Sequence, residues 1–360
     1  MIAGSVTVVP EPPIHWSTYP NAFERSLAGR VERHTIESEL LAGNPLGDPA
    51  QRPLDVYVPP GYDDDPDRRY PSVYVIQGYM GSEPMWHNRS AFRPTFPEAA
   101  DALFAAGEAP GCIVVFVDAW TSYGGSQFVD SPGTGPYHSY LCDEVVPFVD
   151  ARYRTLAAAA HRGISGKSSG GFGAMITPML RPDLFGGLAS HAGDALYELS
   201  YIPNFGKVVR ALRAYDGSYE KFWEDFASRP PMSKDTDGDL VLHYGCAAAF
   251  SADEDGTVHL PFDLRTGRVI EDVWARWLAW DPVRMVPEHA DALRGLRAIY
   301  LDGGTKDEWF LELGALAFRD ALADIGVTDV VCELFEGTHG GIDYRYPKAL
   351  AYLAERLSPA

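Results

Sequence analysis

HRGISGKSSGGFGA, residues 161–174, holds the pentapeptide Gly166-Lys167-Ser168-Ser169-Gly170, a G-x-S-x-G with a strand-like run before it and a helix-like run after it. A serine used as nucleophile must sit on a tight, strained strand-to-helix turn, so that its hydroxyl stands clear of the backbone. Glycines two residues to either side leave room for such a turn. The following helix would aim its N-terminus at the serine, so the backbone N–H of Ser169 could face an anionic intermediate. Two other readings compete. A phosphate-binding loop, G-x-x-x-x-G-K-[ST], needs glycine at 161, where the chain has His161. A Gly/Ser-rich turn without chemistry has the same letters, so the decision passes to the rest of the chain.

Upstream, Ser72–Gln77 (SVYVIQ) is a continuous apolar run ended by Gly78, as expected of a parallel strand buried on both faces. Ligands collect at the carboxyl ends of such strands, and the loop Gly78-Tyr79-Met80-Gly81-Ser82 follows this one. The Tyr79 N–H is therefore the candidate second donor of an oxyanion hole. Further strand-like runs are Val31–Leu40, Leu54–Val58, Cys112–Val117, the run just before the pentapeptide, Gly186–Ser190, Arg297–Leu301 and Val330–Leu334. Helical spacing appears at Glu98–Ala106, at Leu141/Val145/Phe148/Val149, at Phe172/Met175/Ile176/Met179 and at Leu311/Ala315/Phe318/Leu322/Ile325; Pro347 opens a last helix. Eight strands, the later ones alternating with helices, predict an α/β fold: a mostly parallel eight-stranded sheet flanked by helices.

Between Ala195 and Arg294 the strand rhythm stops and aromatic residues accumulate. This predicts a cap inserted between the sixth and seventh strands, at 195–294. Residues 31–194 and 295–360 would form the catalytic domain, and 1–30, rich in Pro and Gly, an N-terminal arm.

Three loops after strands carry Ser168, Asp307 and His339 in that order, the chain order of a hydrolase triad of this fold. A serine hydroxyl is a weak nucleophile until a base takes its proton, and imidazole titrates near neutral pH. His339, in the Gly-rich loop after the last strand, is the candidate base. Asp307 is the candidate for fixing its tautomer, with Asp302 and Glu308 as rivals. Only Ser168, and not its neighbour Ser169, has glycine at both −2 and +2, and His191 and Asp194 stay in reserve beside the sixth strand. Trp86, Trp120 and Trp309 are candidates for the substrate pocket.

Composition narrows the partners. Apolar residues make up 46% of 360 residues, enough for a large core, and a formal net charge of −20 repels nucleic acid. Cys112, Cys142, Cys246 and Cys332 are far apart and suggest neither a disulfide framework nor a zinc site. The acidic turn Tyr62–Asp67 reads as a solvated turn. No run is long enough for a membrane span, and the start, MIAGSVTVVPEPPIHW, is unlike a signal peptide, so the default expectation is cytoplasmic.

On the stretches VYVPPGYDDDPDRRYPSVYVIQG, DEVVPFVDARY, GKSSGGFGA, DGGTKDEWF and FEGTHGG, the chain resembles the esterase D and antigen 85 group of α/β-hydrolases. That group includes S-formylglutathione hydrolases, feruloyl and other carbohydrate esterases, and enterochelin-esterase-like enzymes. The resemblance spans roughly Leu54 to Leu357 apart from the cap. It implies Ser168 as nucleophile, Asp307 as acid, His339 as base and the N–H groups of Tyr79 and Ser169 as oxyanion donors. It also implies hydrolysis of a small-molecule or carbohydrate ester with no metal or organic cofactor. The loop after Gly78 lacks the Thr-Cys pattern of formylglutathione hydrolases, and the cap exceeds that of a minimal member. An acyltransferase using the same acyl-enzyme, a peptidase and a binding protein on the same fold remain as alternatives.

Overall fold

The computed structural model describes residues 8–9 and 23–359, so most of the expected N-terminal arm lies outside the described residues. One sheet is built from β1 (Arg30–Glu37), β2 (Gln51–Val58), β3 (Ser72–Ile76), β4 (Ile113–Val117), β5 (Arg162–Lys167), β6 (Gly187–His191), β7 (Ala298–Gly304) and β8 (Val331–Phe335). Their spatial order is β1-β2-β4-β3-β5-β6-β7-β8. β2 runs antiparallel to both neighbours, and all the other pairs are parallel.

Helices cover both faces of this sheet. They include α1 (Phe96–Ala105), α2 (Val146–Arg152), α3 (Ser169–Leu180), α5 (Leu311–Asp324) and α6 (Tyr346–Leu357), while α4 (Asp237–Ser251) lies in the segment between β6 and β7, with further helices between them. Side chains alternate along a strand, so Val73 and Val75 of β3 join Phe104 of α1 and Leu353 of α6 in one core. Tyr74 and Ile76 join Phe172 of α3 and Phe318 of α5 in the other.

The expected fold class is observed, and the differences are local. The first strand stops at Glu37 rather than reaching Leu40, because the Glu144 carboxylate accepts the N–H groups of Glu39 and Leu40 at 2.8 and 3.0 Å. α1 begins two residues earlier than periodicity suggests. Thr95 accepts from the Glu98 N–H while the Glu98 side chain accepts from the Thr95 N–H, a capping box written in the sequence as T-x-x-E. Before α2 the backbone widens into π geometry over Tyr140–Val145, where the Val146 N–H reaches Leu141 O, five residues back. Pro147, one step later, lacks an N–H and sits at the start of α2.

The strand register sets where the site lies. Ile76 pairs with Gly166, Lys167 with His191, and His191 with Asp302, while Phe335 pairs with Gly304. The carboxyl ends of β3, β5, β6, β7 and β8 therefore form a row along one rim, and each loop leaving it starts within a few residues of the next. The segment between β6 and β7 is helical and packs its aromatics into the main core. Phe205, Phe222, Phe250, Trp274 and Trp277 are buried there, and Trp277 donates to Ser251 Oγ at 2.9 Å. Among the described residues no helix is long and apolar enough to cross a membrane.

Beside β2, His87 Nε2 lies 2.8 Å from Asp55 Oδ2 and 3.4 Å from Glu83 Oε1. Among the described residues these three are the group whose ligand atoms all lie within 4.8 Å of one another. Hydrogen bonding to Asp55 and then Glu83 outweighs burial and lifts the His87 pKa to about 9. A folded-state pKa above the unfolded value of about 6.5 stabilises the fold fully below that pH, and the contribution is lost as pH rises through the folded value. Urea unfolding of the parent and of His87→Gln should therefore differ most near pH 6 and converge by about pH 9. A difference that stays constant over that range would mean the imidazolium is not held by these carboxylates.

Candidate active site

Ser168 occupies the turn between β5 and α3 with φ 58° and ψ −126°, a region that non-glycine residues rarely enter. Such a conformation costs roughly 1–3 kcal/mol, and the surroundings hold it in place. The Ser168 N–H donates to His191 O and Ala192 O at 3.0 and 3.1 Å, and its carbonyl accepts from the Phe172 N–H at 2.8 Å. The flanking glycines are required by close approach. A side chain at Gly166 would lie 2.8 Å from Ile76 O, and one at Gly170 would lie 2.7 Å from Gln77 O and nearer still to Ile76 O.

The candidate acid and the candidate base lie in the loops after β7 and β8. Ser168 Oγ stands 3.1 Å from His339 Nε2, and His339 Nδ1 stands 2.8 Å from Asp307 Oδ2. With Nδ1–H donating to the carboxylate, Nε2 is left as an acceptor for the serine proton. The Asp307 side chain is fully buried, and its other oxygen accepts from the Trp309 N–H at 2.9 Å. The Thr305 N–H to Phe335 O bond (2.8 Å) and the Lys306 N–H to Gly337 O bond (2.9 Å) tie the two loops together.

The rivals go elsewhere. Glu308 accepts the backbone N–H of His339 at 2.9 Å, so it holds the loop rather than the ring. Asp302 is fully buried between His191 Nδ1 at 2.9 Å and Arg345 Nε at 3.0 Å, beneath the rim. His191, held in reserve from the sequence, belongs to that interior network, although its carbonyl supports the Ser168 N–H. Asp194 does reach the site. Its Oδ2 accepts from Ser169 Oγ at 3.1 Å and from Tyr201 OH at 3.0 Å, and its Oδ1 lies 3.5 Å from Ser168 Oγ. Burial pushes its carboxyl pKa up, opposed by the Tyr201 hydroxyl.

Neither the Tyr79 nor the Ser169 N–H has a hydrogen-bond acceptor among the described residues, and both residues line the cleft at Ser168. The Tyr79 side chain anchors that backbone. Its hydroxyl reaches Tyr123 O and Val241 O, and its ring lies against Gly124, Gly125 and Gly245, where added side chains would collide with it. Burial raises its phenol pKa well above the ordinary value, so it stays protonated.

Two clefts meet at Ser168 and His339. One, of about 290 Å³, is walled by Tyr201, Leu242, Trp309 and Leu311 among others; the second, of about 580 Å³, includes Lys167, Trp86 and Asp343. Of the three tryptophans expected at the pocket, Trp309 lines the first cleft. Trp86 touches the second but is only 4% exposed, its ring packed on Phe96, Phe116 and Tyr346. Trp120 lines neither cleft: Arg52 binds its carbonyl, and its side chain faces outward.

The profile of the Esterase family matches residues 49–324, a range that holds Ser168 and Asp307 and ends before His339. Over 137 residues, 36% of this chain, the sequence is 28% identical to an endo-1,4-beta-xylanase/feruloyl esterase of Xylanibacter ruminicola, and the match spans 18% of that relative's length. A solved ferulic acid esterase has TM-score 0.58 at 19% identity, covering 92% of this chain and 99% of the other. An S-formylglutathione hydrolase from Agrobacterium tumefaciens gives 0.54 at 17% identity, covering 93% and 98%. A feruloyl esterase module from Clostridium thermocellum, in complex with sinapinate, gives 0.56 at 16% identity, covering 98% and 96%. At these identities the structural likeness speaks for the fold, an α/β-hydrolase.

The elbow packing has a direct test. Gly170→Ala places a methyl group against backbone carbonyls and should destabilise the fold by about 1–3 kcal/mol in urea unfolding. Gly206→Ala, at an exposed position of the helix Ile202–Leu212 with nothing within 4 Å, should be neutral or stabilise by up to about 1 kcal/mol. Equal effects of the two substitutions would contradict the close approach.

Proposed function

The chain belongs to the Esterase family, and on that premise we propose that it hydrolyses carboxylic esters through an acyl-enzyme on Ser168. The observation that carries this reading is the hydrogen-bonded series from Ser168 Oγ to His339 Nε2 and from His339 Nδ1 to Asp307. His339 takes the serine proton as Oγ attacks the ester carbonyl carbon, and Asp307 stabilises the imidazolium that forms. The carbonyl oxygen becomes an anion facing the N–H groups of Tyr79 and Ser169, which have no other acceptor to give up. As the intermediate collapses, His339 returns the proton to the departing alcohol. Water then repeats the sequence on the acyl-enzyme and frees Ser168.

Residues 195–294 serve in this reading as a cap on the catalytic domain formed by 31–194 and 295–360. Supporting this, Ser200, Tyr201, Asp235, Asp239 and Leu242 from that segment line the cleft at Ser168. The substrate is a small-molecule or carbohydrate ester, in keeping with the sinapinate held by the Clostridium module. Transfer of the acyl group to an alcohol would use the same intermediate, and product ratios with and without added alcohol separate the two outcomes.

Ser168→Ala keeps the Cβ and the backbone conformation, so melting should be unchanged. Hydrolysis of a p-nitrophenyl ester should fall by about 10⁴-fold or more, and labelling by a fluorophosphonate should disappear. Hydrolysis at the parent rate by this variant would refute the mechanism.

A further inference from the structure

The smaller cleft is acidic in a way the ester chemistry does not require. Asp194, Asp235 and Asp239 line it, and no lysine or arginine does. Nearby cations are already engaged: Lys234 donates to Asp225 at 2.8 Å, and Arg229 holds Asp225 and Asp237, each at 2.7 Å. Lys167 lines the other cleft. Among the described residues the carboxylates of Asp235 and Asp239 have no ion-pair partner, and Asp194 accepts hydrogen bonds only from hydroxyls, with His339 and Lys167 as charged neighbours beyond hydrogen-bond reach.

Two further features point to a ligand here. Ser168 has one hydroxyl proton, and once it is directed to His339, Asp194 Oδ1 is left as an acceptor beside the nucleophile. Ser200, on the same wall and 3% exposed, has a hydroxyl oxygen with no hydrogen-bond partner. A buried hydroxyl without a partner costs free energy that a bound polar group can recover. Trp309 lines the cleft as well, and an aromatic ring attracts a cation placed over its face.

We propose that this cleft receives a positively charged group of the substrate, an ammonium carried by the acyl or the alcohol half of the ester. The proposal rests on Ser168 being the esterase nucleophile. It adds a substrate class: cationic esters are favoured over their neutral isosteres, and anionic esters are disfavoured by three carboxylates, of which Asp235 and Asp239 have no ion-pair partner among the described residues.

The test uses two pairs of esters matched in shape and differing in charge. One pair is acetylcholine and its neutral carbon isostere; the other is the p-nitrophenyl ester of trimethylammonio-butyrate and its neutral carbon isostere. With the full chain, the cationic member of at least one pair should exceed its isostere in kcat/KM by about tenfold. Asp194→Asn and Asp239→Asn should each move that ratio towards one, whatever they do to absolute rates. If neutral esters are turned over in a Ser168-dependent way and both neutral members match or exceed the cationic ones, the cation site is wrong while the esterase reading stands. A preference unchanged in both variants also overturns the assignment to this cleft. If no ester is turned over and fluorophosphonate leaves Ser168 unlabelled, the esterase reading and the cation site fall together.

Discussion

The active rim depends on how closely the chain passes itself at the elbow. Gly166 and Gly170 lie against the last carbonyls of β3 at distances that leave no room for a side chain. This contact brings the β3 loop, with the Tyr79 N–H, to the start of α3, with the Ser169 N–H. It also forces Ser168 into a positive φ, which the hydrogen bonds from its N–H to His191 O and Ala192 O maintain. The same constraint sets Ser168 at the cleft beside Tyr79 and Ser169.

Parallel register does the rest. Because β5 and β6 end level with each other, and β7 and β8 end together two residues further along, a loop of a few residues from each is enough to reach Ser168. Two His–Asp pairs result at neighbouring strand ends, and they have different fates. His191 and Asp302 are fully buried and joined to Arg345, Tyr300 and Glu333 in an interior network. His339 and Asp307 lie at the rim, with the imidazole 17% exposed and one nitrogen facing the serine hydroxyl. Distance within each pair does not separate them, since both are held at under 3 Å; access to the cleft does.

Much of this was legible in the chain because apolar runs and turn residues report local rules. SVYVI, IVVFV and the G-x-S-x-G each specify an element with little help from elsewhere, and all eight strands fall where such runs occur. What stayed hidden depends on residues far apart in sequence. That Trp86 is a core residue is decided by Phe116 and Tyr346, and that Asp194 meets Ser168 is decided by how β6 leaves the sheet. The early end of β1 is decided by Glu144, more than a hundred residues away. The capping box at Thr95 and Glu98, by contrast, was a local signal that periodicity alone overlooks.

The most direct measurement of the central claim is to acid-quench the protein during turnover of a chromogenic ester and map the acylated peptide. The account requires a covalent acyl group, formed in a burst, on the peptide that contains Ser168. Steady hydrolysis with no covalent species, or an acyl group on another residue, would contradict it.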